Sequence, residues 1–201
     1  MTIHKGQEWG TIVGSSEVSA CIRATTDQQV AAAISGSIVE AGDLATTLGV
    51  ASTPATAQSW RRLPLDLLQV SLVDRSGTTT DVDSAAWVAF GHPGWGSYTL
   101  VANTSFVRGR RVFPRSHPND GRFEILEVDK SMSFRQRLAA LRRIPRDAHF
   151  PHPQIHVRTA TTFDREWARP LRVIVDGEKW GSACAVSVRI KPDSTFTHIA
   201  T

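Results

Sequence analysis

The sequence predicts a β-rich α+β fold, and three observations carry that prediction. From Leu63 onward the chain reads as seven segments rich in Val, Ile, Leu, Thr and aromatics, separated by turn signals. Only one convincing helix interrupts them. The first fifty residues have a different texture, alternating short strands with short helices. At 201 residues the chain can hold one good core, or one domain plus a fragment of another.

Taken in order, residues 9–13 and 18–23 read as short strands. Thr25-Thr26-Asp27 offers N-cap chemistry for a helix over 28–34. A buried strand follows at 37–40, then Ala41-Gly42-Asp43 and a short helix over 44–48 ended by Gly49. Residues 51–59, all Ala, Ser, Thr, Pro and Gln, read as a linker or surface loop. Strands are expected at 63–74, 84–90, 98–107, 121–128, 154–162, 171–175 and 183–190. Between them lie Arg75-Ser76-Gly77, Gly91-His92-Pro93-Gly94, Asn119-Asp120-Gly121 and Asp176-Gly177. The helix is expected over 134–143, with Phe134, Leu138 and Leu141 at helical spacing and Ser133 as N-cap. Strand after strand around one helix implies a sandwich or barrel-like body.

Composition sets bounds on function. No run approaches the roughly 18 apolar residues of a membrane helix, and Met1–Gly6 has no apolar stretch behind it to make a secretory signal. Cys21 and Cys184 are far apart and outside any Cys-x-x-Cys pattern, so they read as reduced, buried thiols and place the protein in the cytoplasm. A net charge of +4 suits anionic partners: phosphate esters, acidic lipid surfaces or nucleic acid.

Several groups have chemical potential. Asp176-Gly177-Glu178 closes an apolar strand, so two acids sit at an exposed strand end where a general base is held and reachable; the alternative is a β-turn capped by its own Asp. His149, His152 and His156 are closely spaced, but two prolines make the segment extended and no cysteine completes a zinc set. Arginines form two clusters, Arg108, Arg110, Arg111 and Arg115, then Arg135, Arg137, Arg142, Arg143 and Arg146. The guanidinium fork matches phosphate, whereas on a helix such residues are usually a solvated face. A basic nucleic-acid module ranks last, because no recognised motif accompanies the charge.

Three segments in order resemble the diacylglycerol kinase and bacterial lipid kinase superfamily, relatives of sphingosine kinase and NAD kinase. The stretch Glu40-Ala41-Gly42-Asp43-Leu44-Ala45-Thr46-Thr47-Leu48-Gly49 is similar to that family's Gly-Thr-Gly-Asn-Asp-Phe-Ala-x-x-Leu-Gly segment. Asn103, then 114–128, resembles its Asn…Pro-x-Ala-x-x-Asp-Gly-x-Leu-x-Val region. Arg169-Pro170-Leu171 through Asp176-Gly177-Glu178 resembles its closing Pro-Leu…Asp-Gly-Glu. The resemblance implies an α/β nucleotide domain preceding a β-sandwich, with a lipid hydroxyl as phosphoryl acceptor between them. It puts Glu178 at the general base with Asp176 beside it, and Asp43 and Asn103 at the substrate; Arg111 and Arg115 of the first arginine cluster are the phosphate-binding candidates. The resemblance also implies a structural Mg²⁺ on Asp120, with the backbone carbonyls of His117 and Arg122.

The family's Gly-Gly-Asp-Gly-Thr nucleotide motif is not found, which argues against an ATP site within the chain. The expected organisation is therefore a truncated α/β remnant with a linker over 1–60 and a lipid-kinase-like sandwich over 61–201. The expected function is binding of a lipid or phosphorylated small molecule without autonomous catalysis. An alternative is a lipid or small-alcohol kinase completed by a partner chain. A homodimer covering the missing domain edge and peripheral membrane contact are further expectations.

Overall fold

The computed structural model describes residues 9–50, 57, 59–143 and 152–201. Most of the expected linker, together with Arg146 and His149, lies outside them. The chain opens with β1 (Thr11–Gly14), α1 (Ser15–Val18), β2 (Ile22–Ala24), α2 (Asp27–Ala32), β3 (Ser37–Val39) and α3 (Asp43–Thr47). The cap read from sequence forms on α2: Thr26 accepts from the Gln29 backbone N–H while the Gln29 side chain answers the Thr26 N–H, a reciprocal capping box. The strand expected at 18–23 is shortened to its end, because α1 runs to Val18 and a turn, Cys21 N–H to Val18 C=O, intervenes before β2.

The body consists of β4 (Ser59–Val73), β5 (Thr79–Ser84), β6 (Trp87–His92), β7 (Trp95–Ala102), β8 (Phe106–Val107), β9 (Arg110–Arg111), β10 (Phe123–Val128), α4 (Phe134–Arg143), β11 (Ile155–Ala160), β12 (Thr162–Val175) and β13 (Glu178–Ala200). Among the described residues, eleven strands join one sheet whose main path runs β1-β4-β13-β12-β6-β7-β10-β11, with β5 on β4, β3 on β13 and β2 on β3. The sheet is antiparallel except where β3 pairs with β13 and β2. The long strands β4 and β13 pair from Trp60–Ala200 to Val73–Ala185, with a bulge between Lys191 and Thr195. Through that bulge one end of β13 serves the sandwich and the other holds the α/β segment.

Period-two alternation divides single strands between two cores. Val88 and Phe90 of β6 join Leu68, Val70, Phe123, Ile125, Val173 and Val188 in the main core. Their neighbours Trp87 and Ala89 face the other way, with Leu100, Leu126 and Ile174, toward α4. A third cluster, including Val30, Val39, Leu44 and Leu65, seats α2 and α3 on β4.

The strand expected over 98–107 ends at Ala102. Asn103 leaves the ladder, its backbone N–H donating to Ala86 C=O and its Nδ2 to Asp66 C=O, and the chain restarts as the separate β8–β9 ribbon. The polar edge strand β5 was not expected from its Thr-Thr-Asp-Val-Asp composition. Cys21 and Cys184 are free thiols as expected, but half-buried rather than fully buried. No helix among the described residues is long and apolar enough to cross a membrane.

Candidate functional site

Where the α/β segment meets the sandwich, three buried aspartates border one polar cleft of about 380 Å³. Asp27 projects from the start of α2, and its two oxygens accept the backbone N–H groups of Asp43 and Leu44 at 2.9 and 3.0 Å. Those are the orphan donors at the N-terminus of α3, so an internal carboxylate fills what is otherwise an anion site. Gly42 precedes them at φ +106°, and any Cβ there would run into the Asp27 carboxylate.

Asp43 in turn accepts from Trp87 Nε1 at 2.7 Å and from the backbone N–H groups of Arg108 and Gly109 at 2.6 and 2.7 Å. The Arg108-Gly109 turn has φ of +52° and +69°, which aims its two successive N–H groups at one point. Asp176, at φ +47° with Gly177 at +89°, forms the tight β12–β13 hairpin turn. Its side chain points inward rather than capping its own turn. Oδ1 accepts from Ser84 Oγ, Ala86 N–H and Trp87 N–H, and Oδ2 from Ala85 N–H, all within 3.0 Å.

The electrostatics follow from this crowding. Burial, reinforced by the neighbouring Asp176 charge, pushes the Asp27 carboxyl up to about 7 against the pull of its two N–H donors. Burial likewise pushes Asp176 up, opposed by its four donors. A raised folded-state pKa means the folded protein holds a proton that the unfolded chain releases near pH 4. The stabilisation is complete below that pH and is lost as pH rises toward 7. Burial of His92, His117 and His198 acts with the opposite sign, so the expected result is read against Asp27→Asn: the wild-type urea midpoint falls relative to that of the variant between pH 5 and pH 8. A wild-type midpoint that does not fall relative to Asp27→Asn across this range would overturn the assignment.

Glu178 lies two residues beyond Asp176 but faces outward, exposed at the start of β13. With the Gln28 amide turned to donate, its Nε2 sits 2.6 and 3.2 Å from the two Glu178 oxygens. The two acids of the Asp-Gly-Glu turn thus have different surroundings: Asp176 is saturated by donors in the core, and Glu178 is reachable.

The remaining sequence-picked residues fall elsewhere. Asn103 belongs to a second cluster centred on Asp66, a fully buried carboxylate. Asp66 accepts from Gly121 N–H at 2.7 Å, Asp193 N–H at 2.9 Å and Asn119 Nδ2 at 3.1 Å, clasping the Asn119-Asp120-Gly121 turn against the β13 bulge. Arg111, in β9, and Arg115, in the loop after it, are exposed.

The Mg²⁺ implied for this turn meets hard oxygen donors of the right chemistry. Asp120 commits Oδ1 to Arg122 N–H. The neighbouring Asn119 Oδ1 is buried without a partner. His117 uses Nδ1 to accept Asn119 N–H and stacks edge-on against Trp9. Among the described residues no cluster of three His, Cys, Asp or Glu side chains is arranged to hold a metal.

Sequence reading passed over an apolar cavity of about 420 Å³ between the outer face of β6, β7, β10 and β12 and the helix α4. Ala89, Leu100, Leu126, Ile155, Ile174 and Met132 are among its lining residues, as are Arg108, Arg110 and Arg172, exposed cations at its edge. Burial pushes the Tyr98 phenol within it up to about 12, so it remains a neutral donor. Trp87 and Arg108 border both this cavity and the acidic cleft, and the Arg108 guanidinium lies 5.6 Å from the Trp87 ring centroid.

Two crystal structures from Bacillus anthracis str. Sterne, each carrying a diacylglycerol kinase designation, share the architecture. One superposes with a TM-score of 0.58 at 13% identity, covering 83% of this chain and 69% of its own. The other gives 0.53 at 13% identity, with 83% and 67% covered. At that identity the likeness speaks for the fold alone. No curated protein matches the chain. The model of one family, described as the YegS C-terminal NAD kinase beta sandwich-like domain, matches residues 84–196. With more than half of its length inside that match, the chain belongs to this family.

Proposed function

We propose that the chain binds a phosphate-bearing amphiphile, with the apolar tail in the cavity under α4 and the anionic head among Arg108, Arg110 and Arg172, and does not by itself transfer a phosphoryl group. The observation that carries this reading is the cavity: its volume is that of a small-ligand site, its walls are aliphatic, and arginines stand at its edge. The polar cleft is the less favourable place for an anion. The N–H groups opening α3 are filled by Asp27, the Gln29 N–H of α2 by Thr26, and the Arg108-Gly109 pair by Asp43.

Calorimetric titration with a short-chain lysophosphatidate, kept below its aggregation threshold, tests the reading. Micromolar binding is expected, weakened at least about tenfold in Ala89→Trp, which fills the cavity, and in the neutral monoacylglycerol lacking the phosphate. Absence of heat, or equal affinity in Ala89→Trp, would end it. The Mg²⁺ proposed at the Asn119–Gly121 turn would be held by the uncommitted Asp120 oxygen and the carbonyls of His117 and Arg122. It is expected to raise the melting temperature of the wild type and not of Asp120→Ala; no rise in the wild type removes it.

A second reading, a kinase completed by a partner chain or second copy, is favoured by one observation. The α/β segment exposes Ile22 on β2, whose outer edge pairs with no other strand among the described residues, as a sheet missing its continuation would. A monodisperse monomer by light scattering would count against the homodimeric form of it.

A further inference from the structure

We infer that the face formed by α4 and the tip of the β6–β7 hairpin docks onto an anionic lipid bilayer. The inference concerns a surface, and it does not rest on the cavity holding an amphiphile.

The helix α4 is amphipathic in an unexpected sense. Its buried residue is Arg137, while Phe134 is 62% exposed and Leu138 36%. Next to Phe134 stands Gly94 of the hairpin tip, whose neighbour Trp95 is 66% exposed. The Trp95 ring is stacked on His92 at 3.4 Å and 14°, so the indole is braced from one side and presents the other. Arg137 fixes these parts together: its guanidinium donates to the carbonyls of Met132, Pro93, Gly96 and Asp129 at 2.5 to 3.3 Å. Burying an arginine is expensive unless every donor is met. Here that arrangement holds Phe134, Leu138 and Trp95 outward on one rigid surface.

Basic side chains dominate the charge around the three apolar side chains, with the exposed Asp129 in the loop before α4. The ten residues of α4 contain four arginines and no acid, and Arg135, Arg142 and Arg143 are exposed. Arg110 reaches the far end of the helix through Leu141 C=O. Exposed Trp, Phe and Leu beside the arginines of α4 match the interface of an anionic bilayer: the rings sit at headgroup depth and the cations face acidic lipids. A second copy is a poorer occupant, since mating this face with itself sets arginine against arginine. Ala140, Leu141, His92 and Pro93, from the same two elements, border the apolar cavity. The docking face and the cavity therefore lie side by side.

Vesicle flotation of the full chain tests the inference, using phosphatidylcholine with and without phosphatidylglycerol. The wild type is expected to float with the anionic vesicles, to dissociate as salt is raised, and to stay behind with phosphatidylcholine alone. Arg135→Glu/Arg142→Glu/Arg143→Glu should weaken anionic binding by roughly a hundredfold or more, and Trp95→Ser/Phe134→Ser by at least about tenfold. All five positions are exposed, so unchanged melting curves confirm the fold. Ala89→Trp should float like the wild type, which separates this surface from the cavity. No flotation, equal flotation with neutral vesicles, or variants that float like the wild type would overturn it. So would a wild-type dimer that Trp95→Ser/Phe134→Ser turns into a monomer.

Discussion

Replacing Asp176 by alanine is expected to abolish folding or to lower the melting temperature by well over ten degrees, while Glu178→Gln two residues away leaves stability unchanged. The asymmetry follows from the donors. Removing the Asp176 carboxylate strands three buried backbone N–H groups and the Ser84 hydroxyl. Each unmet group costs about 1–3 kcal/mol, against a typical total stability of about 5–15 kcal/mol. Asp176→Asn is the graded control. It keeps the oxygen that serves Ser84, Ala86 and Trp87 but turns an amide toward the Ala85 N–H, so it should fall between the two. Glu178 is exposed, and a neutral isostere there should shift stability by no more than about 0.5 kcal/mol. Thermal and urea unfolding of the three variants give the comparison. An Asp176→Ala protein that melts near the wild type would mean these hydrogen bonds do not hold the sandwich to the cleft.

The second large effect is expected at Asp66. In Asp66→Ala the N–H groups of Gly121 and Asp193 and the Asn119 amide lose their shared acceptor, at a cost of about 3 kcal/mol or more. Asp120→Ala, on the same turn, loses a single hydrogen bond to Arg122 N–H and should cost about 1 kcal/mol or less. Amide exchange gives an independent readout, because Gly121 and Asp193 should lose protection together in Asp66→Ala and keep it in Asp120→Ala. Equal destabilisation by the two variants would contradict a turn anchored through Asp66.

Much of the architecture is legible in the sequence because it is written in local chemistry. The helix Phe134–Arg143 has the expected bounds, and Ser133 and Gln136 cap it reciprocally. Asp176-Gly177 is the hairpin turn its composition demands. What the sequence hides is direction. Phe134, Leu138 and Leu141 share helical spacing, and spacing alone does not say that Arg137 faces in while Phe134 faces out. Asp176 and Glu178 are neighbours in the chain, yet the left-handed turn sends one into the core and the other to solvent. Asp43 and Asn103, grouped by resemblance, belong to separate clusters because Asn103 is tied to Asp66. Asp66 itself had a usable signal, a lone carboxylate in Leu65-Asp66-Leu67 within a long apolar strand, where an unpaired acid is costly. Asp27 had none, since an aspartate at a helix start reads as an ordinary first-turn acid. The cavity is assembled by strands distant in sequence and leaves no local trace.

Calorimetric titration of the chain with Mg-ATP is the most direct test of the central claim, that the polar cleft is filled by the protein's own carboxylates and that ligand binding belongs to the apolar cavity. Asp27, Thr26 and Asp43 already occupy the backbone donors a nucleotide phosphate would need. The expected result is no binding heat in the wild type. Micromolar binding of Mg-ATP would contradict the claim and bring the kinase reading, with Glu178 as candidate base, to the front.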